Sequence, residues 1–163
     1  MKRVLSLASI LSFVLAISLG AQTPPAKPTA PATPATPAAP MAQAPAKIGS
    51  DADYAAHMKE IGQLNGVLGK AIKSGVADEA AKAASVRLEV LFKNVHAYWN
   101  EKKVADATTA SETAVSSLQA VQKALAANDM AAAETARAAF AGMCMACHTA
   151  HREKLPEGGW RIK

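Results

Sequence analysis

Aromatic side chains are scarce in this chain: Phe, Trp and Tyr make up 4% of its 163 residues, although half of all residues are apolar. Strands draw on aromatic and β-branched residues to cover a pleated surface, whereas alanine is the residue a helix accommodates at least cost. An apolar fraction supplied so heavily by alanine argues against a sheet core and predicts closely packed helices. Charge of one sign is also thin. Lys and Arg number 18 against 13 Asp and Glu, a formal charge of +5. Without Lys2 and Arg3 the balance falls to about +3, too mild to imply a nucleic-acid partner. A long hydrophobic run is missing as well. Val4 to Leu19 is mostly apolar, but it is shorter than the ~20 residues of a spanning helix and carries four serines. Cysteine occurs only twice, at positions 144 and 147.

What is present begins with an export signal. Met1-Lys2-Arg3 is a basic start, Val4 to Leu19 the apolar region, and Ser18-Leu19-Gly20-Ala21 offers small residues for cleavage after Gly20 or Ala21. Residues 1–21 are therefore expected to be a signal peptide that sends the protein to the periplasm and leaves no stable membrane insertion once cut. No cysteine follows the apolar region, so a lipid anchor is not expected. Residues 22–47 hold eight of the nine prolines and almost no large apolar side chain. Such a stretch cannot bury enough surface to offset its ordering entropy, which predicts an extended, disordered linker.

Residues 48–163 form the expected domain, and their apolar spacing divides into four helices. Ser50-Asp51 caps a first helix toward Lys73, stopped at Gly75, with Tyr54, Met58, Ile61, Leu68 and Ile72 on one face. A second runs from about Asp78 to Asn100 with Leu88, Leu91, Val95, Tyr98 and Trp99 on its stripe. The third runs from about Asp106 to Ala127 and repeats Val115, Leu118, Val121 and Leu125. Asn128 closes it and Asp129 caps a fourth, which carries Phe140 and Met143 and continues to about Leu155, where Pro156 and Gly158-Gly159 end it. Short connections between four amphipathic helices predict an all-α, antiparallel four-helix bundle. Trp160 and Ile162 beyond the last helix predict a tail folded back on the bundle.

The chemistry concentrates in "AFAGMCMACHTAHREK", Ala139 to Lys154, which holds both cysteines and two of the four histidines. Cys144-x-x-Cys147-His148 fits covalent haem: the thiols add to the two vinyl groups and the next residue reaches iron from the same helical turn. A thioredoxin-like pair would need a strand-then-helix setting, a structural zinc site a second ligand pair, and a plain disulfide would leave His148 without a task.

A signal peptide, a four-helix bundle and "CMACHTAHREK" in the last helix resemble the class II cytochromes c, the group of cytochrome c-prime and its low-spin, Met-ligated relatives. The resemblance covers Ser50 to Lys154. It implies one covalently bound haem c on the C-terminal helix, held through Cys144 and Cys147, with His148 as axial iron ligand. It also implies that Arg152 meets a haem propionate or the proximal face; a solvated base at the helix end is the plain alternative. His151 stands where the family carries an aromatic residue. In the first helix "HMKEIGQL" matches the low-spin branch through Met58, Ile61 and Gly62, which implies Met58 as sixth ligand. Met58 as flexible core filler stays open beside that reading, and His57, one residue earlier, reads as a rival or a half-exposed histidine. Met143 and Met145 read as packing.

The function expected from these residues is that of an exported monohaem cytochrome, not an enzyme, carrying single electrons between periplasmic redox partners. Lys102, Lys103 and Lys123 read as solvated faces, with the steering of an acidic redox partner as the other reading; family members often pair through their first two helices, so a homodimer enters the expectation. Two alternatives stand. One is a five-coordinate cytochrome c-prime that takes nitric oxide or carbon monoxide. The other is a helical interaction protein, without haem, whose CxxC forms a disulfide.

Overall fold

The structure is a computed structural model that describes residues 43, 44 and 46–163. The expected signal peptide and most of the expected linker lie outside the described residues. Four helices dominate: α1 Asp51–Ser74, α2 Glu79–Glu101, α3 Ala105–Ala126 and α4 Met130–His151. Two three-residue strands follow, β1 Arg152–Lys154 and β2 Trp160–Ile162. None of the helices among the described residues is long and apolar enough to cross a membrane.

The helix ends follow the local chemistry read from the sequence. The Ser50 hydroxyl accepts the Asp53 N–H at 3.1 Å and donates to the Asp53 carboxylate at 2.9 Å, satisfying an otherwise orphaned donor of the first turn. Asp78 accepts from Ala81 N–H at 2.7 Å and Asp129 from Ala132 N–H at 2.9 Å in the same way. Gly75 ends α1 with φ +73°, and Asn128 takes φ +55° between α3 and α4, the left-handed turn that glycine and asparagine adopt most readily. Only α3 starts without a side-chain cap, at Val104.

Consecutive helices are packed on one another around a core of Leu68, Leu88, Leu91, Leu118, Val121, Leu125 and Phe140, all fully buried. The stripes read from the sequence face that core: Ile61, Leu68 and Ile72 in α1, Leu88, Leu91, Val95 and Trp99 in α2, Leu118, Val121 and Leu125 in α3. The fourth helix departs from the pattern. While α1, α2 and α3 each bury eight residues, α4 buries only Ala133 and Phe140. Met143, Cys144 and Cys147 stay half-buried because they border a cavity.

Two features differ from expectation at the chain's ends. The last helix stops at His151, not near Leu155, and Arg152 is already extended (φ −122°, ψ 137°). The cause is a β-hairpin, antiparallel with Arg152 opposite Ile162 and Lys154 opposite Trp160. Pro156 disfavours a helical Leu155, and Gly158 and Gly159 supply the positive φ of the turn, +96° and +85°. Lys163 N–H donates to His151 C=O at 3.0 Å, which ties the hairpin to the end of α4. The tail thus folds back as a pair of strands. At the other end Ala44, within the stretch read as linker, is buried and held from both sides: its N–H donates to Glu60, and its C=O accepts from Arg87 at 3.3 Å.

Glu60, 3% exposed, receives Arg87 through two bonds of 2.7 and 3.0 Å. The guanidinium first, and the Ala44 N–H after it, hold the Glu60 carboxyl below its ordinary range against the opposing effect of burial. A carboxylate with a depressed folded pKa stabilises above its unfolded pKa, about 4.3, and loses that contribution as pH falls through the folded value. Glu60→Gln should cost about 2 kcal/mol at pH 7, Arg87 being partly solvated. Urea titrations of both proteins should show the difference shrinking below about pH 4.

Candidate functional site

The half-buried end of α4 opens onto a cavity of about 480 Å³ between α1, α2, α4 and the hairpin. All five residues singled out in the sequence line it: Met58 from α1, Cys144, Cys147 and His148 from α4, and Arg152 from β1. Helical spacing explains the α4 set, because positions i, i+3 and i+4 share a face. Met58 shares the cavity because Ile61 and Gly62, one turn further along α1, line it too. A Cβ placed on Gly62 would meet nothing within 4 Å, so the wall beside Met58 is open.

The walls are apolar and aromatic where the chain has few aromatics to spend. Tyr54, Phe92 and Trp99 all face the cavity. Trp99 Nε1–H donates to the Tyr54 hydroxyl at 3.0 Å, fixing both rings, and burial pushes the Tyr54 phenol well above its ordinary value. Phe92 meets Phe140 edge to face at 5.1 Å. His151 stacks on Trp99 at 5.0 Å and donates from Nε2 to Asp106 of α3 at 2.8 Å.

Arg152 is neither helical nor solvated in the manner of a helix-end base. Its guanidinium lies 3.9 Å over the Trp160 ring, a cation–π contact, and its Nε is buried without a hydrogen-bond partner among the described residues. Asn65 Oδ1, from another lining residue, is likewise buried and unpartnered. Trp160, Arg161 and Ile162 complete the hairpin side of the wall. The sequence signalled this contribution only through two apolar residues placed after the helix stop.

The remaining expectations resolve individually. His57 is fully buried, not half-exposed. Its Nδ1 lies 2.8 Å from Asp53 C=O, an acceptor, and its Nε2 lies 3.2 Å from the Asn94 amide nitrogen, so both ring nitrogens are engaged away from the cavity. Met143 borders the cavity, whereas Met145 is 65% exposed and does not pack.

Both cysteines are free thiols. Burial, then proximity to Cys147, pushes Cys144 up to about 11; burial and Asp106 raise Cys147. Burial and then Arg152 lower His148, which favours the neutral imidazole that binds metals. Among the described residues no group of three or more His, Cys, Asp or Glu could hold a metal ion. The donors instead suit a group that brings most of its own ligands: two thiols and an imidazole on one helix, a thioether from another, and an arginine at the edge. The cavity lies in the ~300–1,000 Å³ range of cofactor sites, and a haem fits this donor set.

No family model, curated protein or solved structure matches the chain. The resemblance to class II cytochromes c therefore rests on residues of the sequence alone.

In the haem-free chain the raised Cys144 thiol should be slow to alkylate. With its value pushed up to about 11, Cys144 holds little thiolate, the form that alkylates, at pH 8. Peptide mass spectrometry after timed iodoacetamide exposure should find Cys144 labelled at least tenfold more slowly in folded than in urea-unfolded protein.

Proposed function

We propose that this protein is an exported single-haem cytochrome that carries one electron at a time between periplasmic redox partners. One observation carries the reading: Met58 of α1 and Cys144, Cys147 and His148 of α4 line the same cavity. The connections between helices are three or four residues long, which favours an antiparallel order and brings sequence-distant groups to one end of the bundle.

In this reading a haem c supplies a metal centre that gains and loses a single electron. Cys144 and Cys147 would hold it covalently through their sulfurs, and His148 would offer a neutral ring nitrogen to the iron. Met58 approaches from the facing helix with a thioether, a soft donor that favours the reduced state. Arg152 would present positive charge to a propionate, its guanidinium lying over the Trp160 ring. Phe92, Trp99 and Ile61 exclude water, so little solvent reorganisation accompanies the change of charge. The route to the periplasm is read from Met1-Lys2-Arg3 and the apolar run to Leu19.

Replacing Cys144 and Cys147 together by Ala should abolish covalently retained haem. Acid-acetone extraction of the exported variant tests this, and haem that stays with the protein rejects the attachment assignment. Met58 separates electron transfer from gas binding. The wild-type ferrous protein should be low-spin and bind carbon monoxide slowly, because sulfur must first leave. Met58→Ala should turn high-spin, bind carbon monoxide at least tenfold faster and show a lower reduction potential. A wild type that is already high-spin, with gas kinetics unchanged in the variant, makes the gas-binding reading the better one.

A further inference from the structure

The aromatic residues of the bundle do not stop at the cavity wall. Tyr98 lies 5.0 Å from Tyr54 and 5.2 Å from Trp99, ring centre to ring centre, and both of those rings line the cavity. Tyr98 does not line it. It lines a separate surface cleft of about 390 Å³ together with Lys47, Ile48, Gly49, Glu101 and Lys102. One ring-to-ring step therefore joins the cavity wall to the cleft. The cleft has a charge of its own: Lys102 Nζ lies 4.9 Å from the centre of the Tyr98 ring, Lys47 also lines it, and Lys103 follows Lys102 directly in sequence. All three lysines are exposed, and Glu101 is the single acid of the lining. Lys103 also holds the left-handed conformation, φ +58°, in a turn where Val104 N–H donates to Trp99 C=O. The loop that presents the charge is thus bonded to the helix turn that presents Trp99.

We propose that this cleft is the docking surface for an acidic one-electron partner protein, and that Tyr98 with Trp99 forms the packed contact between that partner and the cavity. The proposal rests on the haem reading above and adds to it the place and charge of the exchange. One electron leaves the reduced centre in the cavity and arrives on the partner's acceptor; no proton is transferred and no bond is made or broken. Carboxylates of the partner meet Lys47, Lys102 and Lys103, which steers the encounter at low salt and fades with screening. Tyr98 fills the middle of the contact, where aromatic side chains dominate interfaces.

Two measurements test the proposal, one of which needs no electron transfer. In the first, ¹⁵N-labelled full-length protein is titrated with hexacyanochromate(III), a redox-inert paramagnetic trianion. Amide broadening should centre on residues 47–49 and 101–103 and disappear in the Lys102→Glu, Lys103→Glu variant. Broadening centred on the hairpin, around Lys154, Arg161 and Lys163, overturns the proposal and moves the docking site to the Trp160 side.

In the second, stopped-flow oxidation or reduction is followed with flavodoxin as an acidic one-electron probe. The double lysine variant should react about tenfold more slowly at low ionic strength, with the difference vanishing at high salt. Tyr98→Leu should slow transfer while leaving the salt dependence unchanged. A coloured protein whose rates ignore both variants sinks the docking surface and leaves the haem reading intact. A colourless protein sinks the haem reading, while the anion map still reads the cleft.

Discussion

The edge-to-face contact between Phe92 and Phe140 marks the level at which the core closes and the cavity begins. Phe140 is fully buried; beyond it Met143, Cys144 and Cys147 are only half-buried along the same helix. An aromatic pair of this geometry is worth about 1 kcal/mol beyond its area, enough to fix where the helices meet. The last turns of α4 therefore cannot pack tightly on α1, and their small and sulfur-bearing side chains have room between them. An occupant of that space would restore the dispersion contacts that the lining atoms lack.

The rotation of α1 follows from polar side chains bonded to α2. Three side-chain pairs lace α1 to α2: Trp99 with Tyr54, Asn94 with His57, and Arg87 with Glu60. His57 and Glu60 are buried, so breaking their bonds would leave polar groups without partners. With those side chains committed to α2, the 100° step from His57 turns Met58 toward the cavity. Ala44 extends the same lacing to the chain before α1, since both of its backbone groups are held by the Glu60–Arg87 pair.

Helix ends and core stripes were legible because they depend on local chemistry: Ser50, Asp78 and Asn128 behave as caps and stops wherever they stand. The joint placement of Met58 with Cys144, Cys147 and His148 was legible for a related reason, since an i, i+3, i+4 pattern and an apolar stripe each specify a helix face. What was not legible depends on partners distant in sequence. Burial of His57 needs Asn94, and the docking of Ala44 needs Arg87, neither of which is marked by spacing. The hairpin was hidden because β1 has only three residues, directly joined to a helix end whose composition continues unbroken. Pro156 and the two glycines were visible as a stop but equally compatible with an irregular tail.

The site divides into a fixed side and an adjustable one. Cys144, Cys147 and His148 come from positions i, i+3 and i+4 of one helix, so their spacing is set by helix geometry and cannot drift independently. Met58 comes from another helix, is half-buried, and adjoins Gly62, where the wall is empty. A thioether on three rotatable bonds in open space reaches or withdraws without strain. Attachment of a haem would therefore be governed by α4 alone, whereas coordination on the opposite side would follow the position of α1, which the buried bonds to α2 set. On the haem reading, electron carriage and gas binding would differ in the placement of one helix, with the attachment segment the same in both.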